Sequence, residues 1–423
     1  MTSLMMKRLL LLILTGCIVH FSNAQSVPQK DVKDILRAIT KNNLTTVEVD
    51  TLERNRTYLN ILPVVGYSPP YGFLAGAGVS LGRILGSTGT PLVSSALVNV
   101  SVTTKNQTIF IARSNVYLPG GDWILQGDWR LLFFTQPTYG TGIYFGGTDQ
   151  VSLNGNPVTL RRDEQDMEFN YVRFYQSVFR RIQSSLYAGI GLSVDHHFNI
   201  DDQTLDLNNA QPNYTAHYLN NIRNNIPLTR TTANGLSLNV LWDNRDNPIN
   251  TYEGWYAQLG YRMNTRFLGS NAPSQVFSYD LRFYLHPKPS SKEHVFALWN
   301  WGQILTSGKL PYLAMPSIAW DTYNRSGRGY IQGRFRGESM LYSEAEYRFP
   351  LTRNRLLGGV VFLNGTTASA KLSGQSLLRA VALGYGAGLR VKMSKKTRTN
   401  VTVDMGFGQK GSSGIFINLQ EFF

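Results

Sequence analysis

The chain has 423 residues, 42% of them hydrophobic and only 16% charged, with 39 Gly, a single Cys and a formal net charge of +14. Soluble proteins carry about 25% charged residues, a helical membrane protein needs apolar runs of about 18 or more, and one cysteine cannot staple a disulfide scaffold. With 22 Tyr, 21 Phe and 7 Trp disorder is also a poor fit, which leaves a β-rich protein with an unusual surface.

The chain opens on an address. Lys7 and Arg8 precede the apolar run 9–14, and Ser22-Asn23-Ala24 offers small residues ahead of Gln25. Residues 1–24 therefore read as a cleavable secretory signal peptide. The rival reading makes Leu14-Thr15-Gly16-Cys17 a lipobox with Cys17 lipidated, although the apolar Ile18-Val19-His20-Phe21 is a poor polar tether. Either reading exports the protein. Residues 25–58 form a separate short segment in which Val32, Ile35, Leu36 and Ile39 make a helical stripe. It is expected to plug a lumen, lie across a periplasmic mouth, dock on a partner, or remain a mobile leader.

From about residue 59 to 423 the dominant period is two. In Trp255 to Arg266, the residues Tyr256, Gln258, Arg262, Asn264 and Arg266 share one face, and Trp255, Ala257, Leu259, Tyr261 and Met263 the other. Alternation of this kind suits a half-exposed soluble sandwich, but polar faces rich in arginine and apolar faces ending in aromatics suit a membrane barrel. The predicted strands often run to about 10–14 residues, against a globular mode near 5–6. A sheet in a bilayer must also close to pair its backbone.

Sixteen strands are predicted, over 59–67, 72–84, 92–105, 107–118, 122–135, 165–180, 183–197, 233–243, 254–266, 275–286, 293–306, 338–349, 354–365, 377–393, 397–408 and 413–423. An even number is what a single-chain bacterial barrel requires. The long connectors, 136–164, 198–232 and 307–337, all follow odd-numbered strands and so emerge on one side. Short turns such as Pro119-Gly120-Gly121 and Arg180-Arg181-Ile182 follow even ones. The fold class is thus all-β: a sixteen-stranded antiparallel transmembrane β-barrel with a short N-terminal helical segment.

Two segments go beyond composition. Trp242-Asp243-Asn244-Arg245-Asp246-Asn247-Pro248, followed by Gly254, lies between the eighth and ninth strands. Arg328-Gly329-Tyr330 lies in the long connector after the eleventh, and is followed by Glu344-Ala345-Glu346-Tyr347-Arg348-Phe349. In order and spacing they resemble the barrel of the BamA/TamA superfamily, also called the bacterial surface antigen family, over roughly residues 59–423. The resemblance implies that the sixth outer loop folds into the lumen, where Arg328 meets acids on the inner walls of strands 12 and 13. Glu344 and Glu346 share a face of strand 12, so Arg328 is expected to pair with Glu346, while Gly329 turns the loop and Tyr330 packs on the wall. The family favours Phe-x-Asp-x-Gly on strand 13, whereas this chain reads Phe362-Leu363-Asn364-Gly365. Asn364 can accept a hydrogen bond but brings no charge, so the loop is expected to be anchored mainly through strand 12. A blander alternative leaves these arginines merely lining a pore.

Asp243, Arg245 and Asp246 are expected to hold the periplasmic turn between strands 8 and 9, with Pro248 and Gly254 shaping it. The ending Glu421-Phe422-Phe423, after alternating Ile415, Ile417 and Leu419, resembles a barrel-insertion signal, with Phe423 at its end and Glu421 breaking the pattern. Relatives that insert or secrete proteins carry periplasmic receptor domains, and the residues before the first strand are too few for one.

Three functions compete. One is an outer-membrane assembly or translocation component beside other outer-membrane or periplasmic subunits. Another is an anion-preferring or gated pore lined by Arg262, Arg266, Arg282, Arg348 and Arg390. The third is a barrel enzyme, for which Asp195-His196-His197 is the sole tempting cluster. No nucleophile or orienting group accompanies those histidines, and neighbours on a strand face opposite ways. No catalytic, cofactor or metal site is assigned. The location is the outer membrane, where basic residues meet lipid, including lipopolysaccharide phosphates; cations spread over an exported barrel do not suit nucleic acid.

Overall fold

The computed structural model describes residues 28–39, 57–68, 72–84, 93–287 and 292–423. The expected signal peptide and Cys17 lie outside the described residues.

Sixteen antiparallel strands follow one another around a single sheet in chain order. They are β1 (Thr57–Ser68), β2 (Gly72–Ile84), β3 (Val93–Thr103), β4 (Thr108–Tyr117), β5 (Trp123–Thr135), β6 (Met167–Gln183), β7 (Leu186–Asp202) and β8 (Arg230–Asp243). The second half comprises β9 (Gly254–Asn264), β10 (Ser274–Leu285), β11 (Val295–Gly308), β12 (Met340–Pro350), β13 (Leu357–Ala368), β14 (Ala382–Ser394), β15 (Thr399–Gly408) and β16 (Ser413–Leu419). The expected strand count, order and loop parity all hold.

Burial in this sheet is inverted relative to a soluble protein. On β8, Leu236, Leu238 and Val240 are exposed while Ser237 and Asn239 are buried. The apolar face meets lipid, and the polar face packs into a filled lumen. At the ladder from β8 to β9, Leu238 stands opposite Tyr261 and Val240 opposite Leu259, so the lipid face is continuous across strands.

Several elements lay beyond the period-two pattern. The connector after β5 contains a two-stranded hairpin, Thr148–Leu153 with Asn156–Arg161. The connector after β7 contains helix α2 (Ala216–Arg223), capped by the Thr215 side chain. The expected turn at Arg180-Arg181-Ile182 is instead strand, because β6 continues to Gln183 across an irregularity between Arg181 and Gln183.

Helix α1 (Val32–Ile39) forms where expected. It lies at the periplasmic rim, where Lys395 in the turn after β14 donates to Asp31 through its amide and pairs with Asp34 at 3.1 Å. Leu36 and Ile39 remain exposed.

The largest departure is at the end of β16. The strand stops at Leu419 rather than 423, and Glu421, Phe422 and Phe423 are buried. A carboxylate cannot face lipid cheaply, so Glu421 turns inward and takes both phenylalanines with it. Phe423 packs against Trp299 and Tyr284 inside the barrel, not on the lipid-facing alternation that an insertion signal implied. β16 is also short, and among the described residues no ladder joins it to β1, although the two strands lie side by side.

Candidate functional site

The connector after β11, residues 309–339, enters the lumen and is buried through much of its length, including Ile318, Arg325, Arg328, Tyr330, Phe335 and Arg336. A buried loop must satisfy its own backbone. Arg336 does part of this, donating from Nη1 to the carbonyls of Tyr312, Leu313 and Met315.

Arg328 is fully buried at the centre of a charged cluster. Its guanidinium donates to Glu346 at 2.6 Å, to Asp404 at 2.8 Å and to Glu344. Its flat faces are covered by Phe362, 3.6 Å from ring centroid to guanidinium carbon, and by Phe422 at 4.1 Å. A planar fork with several donors and two apolar faces fits this position, and a lysine would not. Around it, Arg348 pairs with Glu346, and Arg390 bridges Asp404 and Glu421. Desolvated charges are costly unless each is paired and hydrogen-bonded, and here every one is.

The expected partners Glu344 and Glu346 are both engaged, from β12. Strand 12 supplies two of the three carboxylates on Arg328, and Asp404 of β15 is a third that the expectation did not include. Asn364 on β13 also differs from expectation: its amide nitrogen donates to the Arg328 carbonyl at 3.0 Å and lies 3.4 Å from Glu344. It holds the loop backbone as a donor, not the guanidinium as an acceptor.

Gly329 has φ +106°, and a Cβ there would stand 2.7 Å from the Phe407 carbonyl oxygen, so the loop presses its backbone onto β15. Tyr330 is buried; its hydroxyl donates to the Leu383 carbonyl at 2.5 Å and accepts from the Gln409 amide at 2.9 Å. Sequence reasoning missed Asp404, Arg390, Glu421 and Phe422 as members of this cluster. For Asp404 a signal existed, since it shares the polar face of its strand with Asn400 and Thr402.

The turn between β8 and β9 is held by its own acids. Arg245 makes a two-pronged pair with Asp243, at 2.9 and 2.8 Å. Asp246 accepts from the amides of Tyr252 and Glu253 and from Arg398 of the next turn but two. Gly254 takes φ +114° directly after, and Pro248 lines a cavity beneath the loop tip. Hydrogen bonds from His286 and Lys292 hold the Glu253 carboxyl below its usual range.

Asp195 and His197 face the lumen from β7, and His196 faces the other way. Asp195 accepts from Tyr171 and Tyr175 and pairs with Arg262 at 3.0 Å, while His197 stacks on Tyr171 at 4.2 Å. These groups serve one another. Among the described residues no cluster of His, Cys, Asp and Glu could hold a metal ion.

A model of the Omp85 superfamily domain matches residues 130–394. No curated protein matches the chain. Among solved structures, BamA from Haemophilus ducreyi lacking POTRA domains 1–3 aligns at TM-score 0.50 and 13% identity, covering 87% of this chain and 69% of that one. CdiB from Acinetobacter baumannii aligns at TM-score 0.50 and 15% identity, over 86% and 60%. CdiB from Escherichia coli aligns at 0.53 and 10%, over 87% and 63%. The chain thus spans under two thirds of the length of the two CdiB chains. At these identities the likeness shows the fold alone. The chain belongs to the Omp85 superfamily, which is implicated in outer-membrane protein biogenesis and translocation.

Proposed function

We propose that this Omp85 superfamily barrel works as a component of outer-membrane protein assembly or translocation, alongside subunits that supply clients. The observation that carries this reading is the fully buried Arg328 cluster, which fixes the connector after β11 inside the lumen. A chamber filled by a braced loop suits a protein that acts on chains at or near its wall. Depletion followed by quantitative proteomics of the outer membrane tests it: broad loss of other barrel proteins is the expected result. An unchanged outer-membrane proteome, with large single-channel currents from the purified protein, would sink it.

The anion-pore alternative draws its support from lumen arginines, and their pairing weakens it. Arg262 is paired with Asp195, Arg282 with Asp280, Arg348 with Glu346 and Arg390 with Asp404. Arg266 is not a lumen residue at all; it sits exposed in the turn after β9.

A further inference from the structure

The charges around Arg328 satisfy one another. A second group of cations, nearer the periplasmic end of the lumen, does not. Arg113 of β4 and Arg325 of the loop tip stand on the same aromatic ring, with guanidinium carbons 5.4 and 5.1 Å from the centroid of Tyr323. Arg325 is 7% exposed, the Arg113 side chain 10%, and the Nε of each is buried without a hydrogen-bond partner.

Nearby acids are already engaged. The Asp321 carboxylate accepts from the backbone amides of Tyr323, Arg325 and Ser326. Asp128 lies 3.9 Å from Arg113 but takes two bonds from Arg130 and one from Arg173. Among the described residues Arg325 has no ion pair; its Nη1 donates to the carbonyls of Glu421 and Phe422. Among those residues Arg113 has one hydrogen bond, from Nη2 to the Asn324 side-chain oxygen at 3.2 Å, and only the long contact to Asp128 to balance its charge. Two desolvated guanidiniums, each with a buried Nε lacking a hydrogen bond and so weakly matched in charge, call for an anion.

The cavity that these arginines line indicates which anion. It runs between β1 and β16, where among the described residues no ladder closes the wall. Val64 and Leu419 line it at the seam, Ile417 reaches it from the lipid side, and Leu97 and Ile111 line it in the lumen. Ile417 is 51% exposed on the lipid face. An apolar passage thus leads from the bilayer to a pair of guanidiniums. Exposed apolar side chains on the bilayer side and a cationic pair on the lumen side are the two surfaces that one anionic glycerophospholipid would cover, acyl chain on the first and phosphate on the second.

We propose that this seam cavity binds an anionic glycerophospholipid, with its phosphate on Arg113 and Arg325 and an acyl chain along Val64 and Ile417. Charge-assisted donors with oxyanion geometry hold the head, and apolar burial holds the chain. The site goes beyond the assembly reading and does not depend on it.

The test uses the full chain, purified in maltoside detergent, with unfolding followed by the heat-dependent shift in electrophoretic mobility. Dioleoylphosphatidylglycerol should raise the midpoint in a saturable way, whereas dioleoylphosphatidylcholine and inorganic phosphate at equal concentration should not. In Arg113→Gln/Arg325→Gln the half-saturating concentration should rise about tenfold or more, as loss of a charge-assisted hydrogen bond implies. An equal effect of phosphatidylcholine, or full reproduction by inorganic phosphate, overturns the assignment to an anionic lipid. Because the double variant can fail to fold, a second measurement uses wild-type protein in nanodiscs containing phosphatidylglycerol with a photoreactive acyl chain. Adducts should concentrate on β1, β3, β4 and β16; adducts spread evenly around the barrel overturn the proposal.

Discussion

Replacing Arg328 should release the lumen loop far more than replacing any one of its partners. The cluster holds three guanidiniums (Arg328, Arg348, Arg390) and four carboxylates (Glu344, Glu346, Asp404, Glu421) in mutual contact. Glu346→Gln leaves three charges of each sign. Arg328→Gln leaves two cations against four buried anions and also vacates the space between Phe362 and Phe422. Breaking a buried pair by removing one partner costs about 3–5 kcal/mol, whereas weakening charge-assisted hydrogen bonds costs about 1.5–3 kcal/mol. When reclosing outpaces cleavage, proteolysis tracks the open population, and about 1.4 kcal/mol is a factor of ten. Chymotrypsin cleavage after Tyr323 and Phe335, sites that neither substitution alters, should therefore accelerate on the order of 10²- to 10³-fold in Arg328→Gln. In Glu346→Gln the increase should be about 10- to 100-fold. Equal rates in the two variants, or a rate unchanged from wild type in both, would refute the charge balance on which the ranking rests.

Gly329→Ala adds a Cβ 2.7 Å from a carbonyl oxygen at φ +106°, so it should loosen the same loop by about 1–3 kcal/mol, read by the same protease assay. Gly374→Ala, also at positive φ but facing open space, is the control and should leave cleavage of the loop unchanged. Asn364→Asp introduces the acid that the resemblance to BamA/TamA barrels led one to expect, yet here it should destabilise the loop by about 1–3 kcal/mol, since it removes the donor to the Arg328 carbonyl and adds a fifth carboxylate; a stabilised loop would contradict the geometry. Phe423→Ala should lower the unfolding midpoint of the refolded barrel in vitro, because a large side chain is lost from the Trp299 and Tyr284 contact at about 3–5 kcal/mol. If its role is confined to insertion, purified variant and wild type will melt together.

The barrel was legible because alternation and loop parity are local in sequence, and each strand repeats the same test. The hairpin at 148–161 and helix α2 escaped notice because both lie in connectors, where burial against the lumen loop, as at Leu160 and Leu219, replaces the two-faced strand pattern. The lumen cluster was half legible. Glu344 and Glu346 share a short stretch with an obvious face, so their meeting with Arg328 could be anticipated. Asp404 lies three strands away on the barrel wall, and only the loop that crosses the lumen brings it to Arg328. Glu421 was visible as an anomaly in the final alternation; read as a flaw in a strand, it is where the chain leaves the sheet.

The net charge of +14 takes a different meaning once the lumen is resolved. A field strong enough to select anions requires cations whose charge is not matched nearby. On the lumen face of the wall from β5 to β15, buried arginines sit two residues from an acid on the same strand or beside one on a neighbouring strand, as Arg130 does Asp128, Arg282 Asp280 and Arg390 Asp404. The pairing keeps the wall near neutrality while using guanidiniums as rigid, many-donor braces. Arg336, buried without an ion pair among the described residues, spends its donors on loop carbonyls. Arg113, 3.9 Å from an acid already bonded to other arginines, and Arg325, with no ion pair among the described residues, stand beside the seam where no ladder joins β1 and β16 among those residues. Charge placed there acts on what stands in the wall and does little to what would pass down the axis, which is why the lumen's arginines count toward a seam that holds lipid and against a conduit for ions.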